Sequence, residues 1–529
     1  MSPPFASRSN AVTRATQLSE APRGIPNTAL HVTGIALTFV SIGMGIGAVV
    51  EWASTDVDTG PMVVSTVVCA ALGLVLWRGT RAGSMRTRAI FAAVGWTWVI
   101  VTLVGAIPYI LAGTFGTGGE DLVEQIVNAV FESASGFSCT GSTVLNDFES
   151  PGRGLMLYRQ ATQWYGGMGI VVLAVTILPF LGVGGLDLIS AEAPGEAGDR
   201  LTPRVSETAR NLWVIYLYFT IAVTLALFAV PGPSLYDSVA HALTTTSTGG
   251  FSPYGASIGH YDSVVVELVL IVGMIYGGAN FALHWRASRG ELRAYARDSE
   301  FRAYLTMLLL ATSVVVAILV LDSPYSMGTA LRSGAFNVVS LGTSTGYGNA
   351  TGAGAAGDFV VWAPAAQLVL LFLFVAGGST GSTAGGIKVM RVQVLFGHTI
   401  RSIRRTQQPR AVIPVKHGTR AVAEDIVSRM AGFFLLYALL VIAGVLAVTT
   451  LGGDLDASIG GILGSLGNMG PSLGEAGPTA SFSTAFSQPA RLVLALFMLI
   501  GRLEIFPILL MFAAPSRAVN DRLRRRATR

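Results

Sequence analysis

The chain has 529 residues, 51% of them hydrophobic and only 12% charged, with a net charge of +5. Charge at half the roughly 25% of an ordinary soluble domain excludes a water-soluble globular protein and leaves a chain built to sit in a bilayer. Two cysteines, Cys69 and Cys139, both in or near apolar segments, exclude a disulfide framework.

In chain order, residues 1–28 come first. The opening MSPPFASRSNAVTRATQLSEAPRG is polar for too long to be a secretory signal, and reads as a disordered cytosolic tail. Apolar runs long enough to cross a ~30 Å hydrocarbon core follow near 30–50, 61–77, 89–113, 160–189, 211–230, 262–285, 302–321, 360–390, 427–451 and 489–514. That predicts about ten transmembrane helices. Lys and Arg collect in 78–88, 286–302, 391–429 and the tail 517–529, whereas the alternate loops carry Glu51, Asp56, Asp58, Glu120, Asp121, Asp147, Glu149 and Glu475. Basic loops stay cytoplasmic, so both termini are placed in the cytosol. Basic loops at every second turn express topology, not a nucleic-acid surface.

After two N-terminal helices (29–88) the chain repeats one pattern four times, over 89–200, 201–300, 301–420 and 421–516. Each repeat is a span, a half-apolar segment, a Gly-centred polar strip and a second span. The strips are SGFSCTGSTV (135–144), TTTSTGGFSP (244–253), GTSTGYGNAT (342–351) and GSLGNMGPSL (464–473), with Gly141, Gly249, Gly346 and Gly470 as their central glycines. One such glycine is explained by close helix packing; four at the same place in a repeat are not. The preceding segments 121–135, 234–246 and 326–340 are too short and polar to span, and read as half-membrane helices that enter and return. Non-helical backbone at that depth is tolerated only beside protein or water-filled space.

Four re-entrant units about a pseudo-fourfold axis would line a central path with backbone carbonyls. Such oxygens replace the hydration shell of a cation, and Gly permits the φ values that aim successive carbonyls alike. The negative C-terminal ends of the half-helices favour the same cation.

These strips, with QATQWYGGMGIVVLAVTILPFLGVGG, GGSTGSTAGGIKVMR and GRLEIF, resemble the TrkH branch of the Trk/Ktr/HKT superfamily of potassium transporters over residues 30–515. The resemblance implies an all-α polytopic fold, two N-terminal helices plus four M1-pore helix-M2 repeats around a pseudo-fourfold K⁺ pore. It implies K⁺ as the transported ion, with no organic cofactor in this chain, and a filter of backbone carbonyls from Cys139, Thr140, Gly141, Ser247, Thr248, Gly249, Ser344, Thr345, Gly346, Asn468, Met469 and Gly470. Gly141, where sodium-passing members carry Ser, argues for K⁺. Cys139 and Met469 depart from the usual pattern.

The run 375–389 interrupts the eighth span with Gly377, Gly378, Gly381, Gly385 and Gly386, followed by Lys388. Each glycine weakens a helix by about 1 kcal/mol relative to Ala. A kinked helix is one reading; the resemblance implies an intramembrane gating loop beneath the filter. The run is no phosphate-binding loop, because Ile387 stands where the lysine must be. Arg502, inside the last span, is costly unless it faces water or a partner. It either pairs with Glu504 or another acid or, as the resemblance implies, projects into the pore as a barrier to cations. Glu132, His241 and Asn337, eight or nine residues before the strip glycines, are candidates for the outer mouth, with helix-end hydrogen bonding the favoured role.

The six histidines show no metal-ligand spacing and no nucleophile elbow is present, which argues against an enzyme. A secondary transporter with broken helices and alternating access, coupled to Na⁺ or H⁺, is the alternative; it predicts inverted halves, whereas these repeats share one orientation. The resemblance further implies a homodimer in the cytoplasmic (inner) membrane, contacting lipid. It also implies a cytosolic TrkA-type nucleotide-binding regulatory subunit docking on the basic loops.

Overall fold

The computed structural model describes residues 25–54, 57–81, 87–116, 121–176, 205–322 and 325–505. Two long apolar helices, α1 (Thr28–Ser54) and α2 (Thr59–Gly79), lie against each other where Gly34 faces Gly73. A Cβ on Gly34 would come within 2.8 Å of the Gly73 carbonyl, so only paired glycines allow this approach. Beyond the outer end of this pair, the buried Glu51 carboxylate accepts from the backbone N–H groups of Val57 (3.2 Å) and Gly154 (2.6 Å). Asp58 accepts from Gly152 N–H at 2.8 Å. The two carboxylates thus cap the start of a helix more than ninety residues downstream and fasten the pair to the first repeat. Glu51→Leu is expected to lower the thermal unfolding midpoint, by stripping buried N–H donors at about 1–3 kcal/mol each, and to leave the ranking of competing ions unchanged. A melt of the detergent-solubilised variant, with ion competition alongside, checks both.

The repeats then follow. The first has α3 (Thr87–Gly105), α4 (Leu122–Phe137) and α5 (Arg153–Thr176). The second has α6 (Val205–Phe228), α7 (Leu235–Thr246), α8 (Val264–Gly277) and α9 (Phe281–Ser288). The third has α10 (Ser299–Asp322), α11 (Met327–Gly342), α12 (Pro364–Val375) and α13 (Val389–Gln407). The fourth has α14 (Glu424–Thr450), α15 (Leu455–Gly467) and α16 (Gln488–Arg502). The chain is therefore an all-α, multi-pass membrane protein; its only described strands are two-residue pairs.

The four helices α4, α7, α11 and α15 have 12 to 16 residues. At 1.5 Å per residue they reach about 18–24 Å, too short to cross. Ser234 starts α7 with a reciprocal capping box to Asp237, and Ser326 starts α11 by accepting from Thr329 N–H. Each of the four is buried over its last turns, apart from a half-buried Leu243 in α7.

Six described helices are long and apolar enough to cross a membrane, seven if the bent pair α8–α9 is one span. The predicted sixth span is not straight: it turns by 101° at 278–280. Asn280 begins the new helix by accepting from Ala282 N–H at 2.8 Å, and the freed Gly278 carbonyl accepts from Ser379 N–H at 2.8 Å. The predicted eighth span stops being helical at Val375, before its glycines begin, and becomes helical again at Val389. Parts of the predicted fourth and tenth spans, 177–189 and 506–514, lie outside the described residues, as do the two tails apart from 25–28.

On the basic side, α13 packs Met390 and Val394 against Val415, Val422, Val427 and Met430. A hairpin pairs Lys416–His417 with Arg420–Ala421, and the His417 ring lies 3.2 Å from Ser299 Oγ. Burial pushes the His417 pKa below its ordinary 6.5. The fold holds the ring neutral, so the stability it contributes is full above about pH 6.5 and is lost as pH falls through the lowered value. Protection of 415–422 against hydrogen exchange, relative to the intrinsic rate at each pH, is expected to stay high at neutral pH and to fall on acidification, a fall that His417→Gln removes.

Candidate ion pathway

Each short buried helix ends in the same backbone device. The N–H groups of Cys139, Thr248, Ser344 and Asn468 turn back to the carbonyls of Gly136, Thr245, Leu341 and Ser465. Those of the following residues, Thr140, Gly249, Thr345 and Met469, reach Ser135, Thr244, Ser340 and Gly464. Cys139, Thr248, Ser344 and Asn468 are left-handed (φ 50 to 55°), a conformation that costs an L-residue about 1–2 kcal/mol. Two residues later Gly141, Gly250, Gly346 and Gly470 have φ of 79 to 90°. Four repetitions of a strained turn at one depth mark a site.

This geometry corrects the register of the second strip. The predicted triplet Ser247-Thr248-Gly249 matches the other strips by letter, but the backbone aligns Thr248-Gly249-Gly250 with Cys139-Thr140-Gly141, Ser344-Thr345-Gly346 and Asn468-Met469-Gly470. Ser247 lies one residue earlier, as the cap of α7. With the register corrected, Glu132, His241 and Asn337 all stand nine positions before 141, 250 and 346; the fourth counterpart is Gly461, where the Phe486 ring takes the space.

The four turns close into a ring. A Cβ on Gly141 would overlap the Gly249 carbonyl oxygen; on Gly250, that of Thr345; on Gly346, that of Met469; and on Gly470 it would sit 2.9 Å from that of Thr140. Each left-handed glycine therefore backs onto the central carbonyl of the next strip, and the fourth returns to the first. Above the ring, Gly141, Gly250, Gly346 and Pro471 border a cavity of about 60 Å³.

Glu132, His241 and Asn337 hold the outer loops rather than opening on this cavity. Glu132 accepts from Val144 N–H (2.9 Å) and Arg159 (2.7 Å), whose guanidinium lies 3.6 Å from the Phe251 ring centre. His241 lies 3.1 Å from Ser252 Oγ, and Asn337 donates to Asn349 Oδ1 and the Gly357 carbonyl.

Beneath the ring lies 376–388, folded as a loop and closed by Gly377 N–H to the Ile387 carbonyl (3.0 Å) and Ile387 N–H to the Val375 carbonyl (2.8 Å). It touches strips two, three and four. Thr383 accepts from Thr248 Oγ1 (3.2 Å) and donates to the Thr246 carbonyl, Gly385 N–H donates to Ser344 Oγ (2.6 Å), and Gly385 leaves no room for a Cβ beside the Gly467 carbonyl. Gly378 abuts the Gly278 carbonyl, Gly381 accepts from Phe281 N–H, and Gly386 sits by the Met469 methyl. Lys388 Nζ donates to the Ala384 carbonyl, and the Glu300 carboxylate ties the loop at Thr380 N–H and Met390 N–H.

Arg502 supplies the contact with strip one. Its guanidinium donates to the Thr383 carbonyl (2.8 Å), the Gly166 carbonyl (3.1 Å) and Cys139 Sγ (3.2 Å), and it is 2% exposed. It is not paired with Glu504, whose carboxylate is taken by Arg391. Among the described residues Arg502 has no acidic partner, and its Nε lacks an acceptor.

Three residues outside the predicted set also join this site. Tyr347, next to Gly346, places its hydroxyl 2.5 Å from Thr244 Oγ1 and donates to the His241 carbonyl, bracing strip three on α7. Ser142 donates to the Gly470 carbonyl at 2.7 Å. Gln163, on α5, donates to the Gly249 carbonyl at 2.7 Å. The sequence signal for Gln163 was a polar residue three positions before the glycine pair Gly166-Gly167.

Three comparisons bear on this geometry. The family model TrkH, described as a cation transport protein, matches residues 62–522. The "Trk system potassium uptake protein TrkH" of Salmonella typhimurium is 36% identical over 450 residues, covering 84% of this chain and 89% of that protein. Its namesake in Halomonas elongata is 35% identical over 492 residues, covering 91% and 97%. The crystal structure of the potassium transporter TrkH from Vibrio parahaemolyticus superposes with a TM-score of 0.81 at 32% identity, covering 92% of this chain and 98% of that one.

Proposed function

Because the chain belongs to the TrkH family of cation transport proteins, we propose that it takes up K⁺ through a channel-like pore filtered by the four-strip ring. The observation that carries this reading is the closed cycle in which every left-handed glycine backs onto the next strip's central carbonyl. A ring of carbonyl dipoles offers a dehydrated cation neutral oxygen ligands at several positions at once, and four helix C-termini add negative potential. With the register the backbone adopts, the filter is Cys139-Thr140-Gly141, Thr248-Gly249-Gly250, Ser344-Thr345-Gly346 and Asn468-Met469-Gly470. Cys139 and Met469 coordinate through their backbones, so their unusual side chains do not remove a ligand.

The loop 376–388 and Arg502 are the gate, in its closed arrangement. Support comes from their contacts with all four strips and from the absence of a described acidic partner for Arg502. A buried guanidinium directly below a cation filter opposes the next ion by charge, and the small residues of the loop allow it to change shape. The protein works as a homodimer in the cytoplasmic membrane with both termini in the cytosol, and its basic loops, with Arg404 and Arg405 in the last turn of α13 and Arg410 just beyond it, dock a TrkA-type regulatory subunit.

The test is radioactive Rb⁺ uptake into proteoliposomes of purified protein, with K⁺, Na⁺ and Li⁺ as competitors. Competition by K⁺ alone supports the filter. Equal competition by all three ions sinks it and returns the alternating-access transporter.

A further inference from the structure

Three of the four strips are anchored by the side chain of their own central residue, and one is not. Thr140 Oγ1 is held by Ser138 (2.6 Å) and receives from Asn468 Nδ2 (3.0 Å). Thr345 Oγ1 lies 2.7 Å from Thr343 Oγ1. Met469 is fully buried, with its methyl against Gly386 in the loop. The counterpart in strip two is Gly249, with no side chain and with maximal backbone freedom in a segment whose carbonyl must hold its aim.

The space that a side chain on residue 249 would fill is occupied from outside. A Cβ built on Gly249 falls among the side-chain atoms of Gln163, which comes from α5 of the first repeat and is fully buried. Its Nε2–H donates to the Gly249 carbonyl at 2.7 Å, and its Oε1 accepts from Phe251 N–H at 3.0 Å, so one amide brackets Gly250. The orientation of that amide is forced, because a backbone carbonyl faces one end and a backbone N–H the other.

The other repeats show how unusual this is. Gly166, Gly277 and Gly501 pack the second spans of repeats one, two and four against the C-terminal carbonyls of their short helices. Three residues earlier stand Gln163, Met274 and Met498. At this position two repeats place an apolar side chain of similar length, and only the first places an amide.

Resting on the filter reading above, we propose that Gln163 is a positioning residue that sets ion preference by anchoring the Gly249 carbonyl. It does two things at once. It supplies the anchor that strip two lacks, and it draws part of the electron density of one ring carbonyl to its own N–H. Among the described residues the ring therefore has three unshared central carbonyls and one shared with Gln163, a graded field in which a larger, weakly hydrated cation gains over a small, strongly hydrated one.

The experiment uses the full-length protein in proteoliposomes, with Rb⁺ uptake competed by K⁺ and Na⁺. Gln163→Met keeps the volume and matches the other repeats but cannot donate; Gln163→Leu likewise fills the space without a donor. Both are expected to retain uptake while the preference for K⁺ over Na⁺ falls about tenfold, in line with one lost buried hydrogen bond of about 1–1.5 kcal/mol. The double variant Gln163→Ala with Gly249→Thr restores an anchor from the strip itself, where Gly249 is not left-handed and admits a side chain. It is expected to recover the preference, a rescue that a purely structural role for Gln163 does not predict. A Met or Leu variant that melts like the wild type and ranks the ions identically overturns the proposal. A wild type that fails to prefer K⁺ overturns instead the filter reading on which it rests.

Discussion

Gly250→Ala is expected to abolish uptake, whereas Gly249→Ala is expected to retain uptake with the K⁺ preference lowered as in Gln163→Met, because its methyl displaces the Gln163 amide. The two residues are adjacent, but only Gly250 has positive φ (79°), and a Cβ there strikes the Thr345 carbonyl of the next strip. The left-handed conformation alone costs an alanine about 1–2 kcal/mol, and the collision then pushes a ring carbonyl out of line. At Gly249 the added methyl meets the side chain of Gln163, which yields more readily than backbone. The same logic grades the ring: Gly141→Ser and Gly346→Ala act like Gly250→Ala, and Gly470→Ala is milder, with 2.9 Å to the Thr140 carbonyl. Rb⁺ uptake with K⁺ and Na⁺ competition reads all of these. Equal loss at 249 and 250 would restore the register suggested by the letters alone.

The second large effect is at Arg502. Arg502→Ala is expected to raise the initial rate of Rb⁺ uptake by about tenfold or more in protein without a cytosolic partner. The substitution removes a buried positive charge from beneath the ring together with three hydrogen bonds that hold the Thr383 carbonyl, the Gly166 carbonyl and Cys139 in one place. Hydrogen bonds to charged groups contribute about 1.5–3 kcal/mol each, so losing even one net bond shifts a closed-open balance by a factor of ten or more. Arg502→Lys keeps the charge without the three-way geometry and is expected to fall between the two. A correctly folded Arg502→Ala protein with unchanged flux would remove Arg502 from the gate.

Much of this was readable in the letters. The strips announced themselves because Gly and small polar residues recur at one place in a hydrophobic repeat, and the half-helices because their apolar runs are too short to span. The non-helical stretch after α12 was signalled by five glycines within 377–386, whose summed propensity cost outweighs continued helix. The second strip was misaligned for a physical reason: Ser-Thr-Gly at 247–249 imitates its neighbours in composition, but register is set by where the helix backbone runs out of i→i−4 partners. That point is Thr248, and no side-chain pattern encodes it. The break at 278–280 had a signal in Gly-Gly-Ala-Asn, glycine followed by a helix-starting asparagine, that the uninterrupted hydrophobicity concealed. Gln163 and Ser142 escaped because their roles lie in contacts with strips 86 and 328 residues away.

Those separations bear on how the protein is made. The ring closes only when Gly470 meets Thr140 and Ser142, and Asn468 reaches Thr140 across 328 positions of chain. During synthesis, the first three strips therefore wait in the bilayer with an open side, and each finished repeat holds strained left-handed turns that its missing neighbour does not yet support. On the filter reading proposed above, the four-strip ring is complete only once the fourth repeat is inserted. A chain cut short before the fourth repeat therefore lacks the Gly470 and Asn468 contacts that close the ring on Thr140 and Ser142.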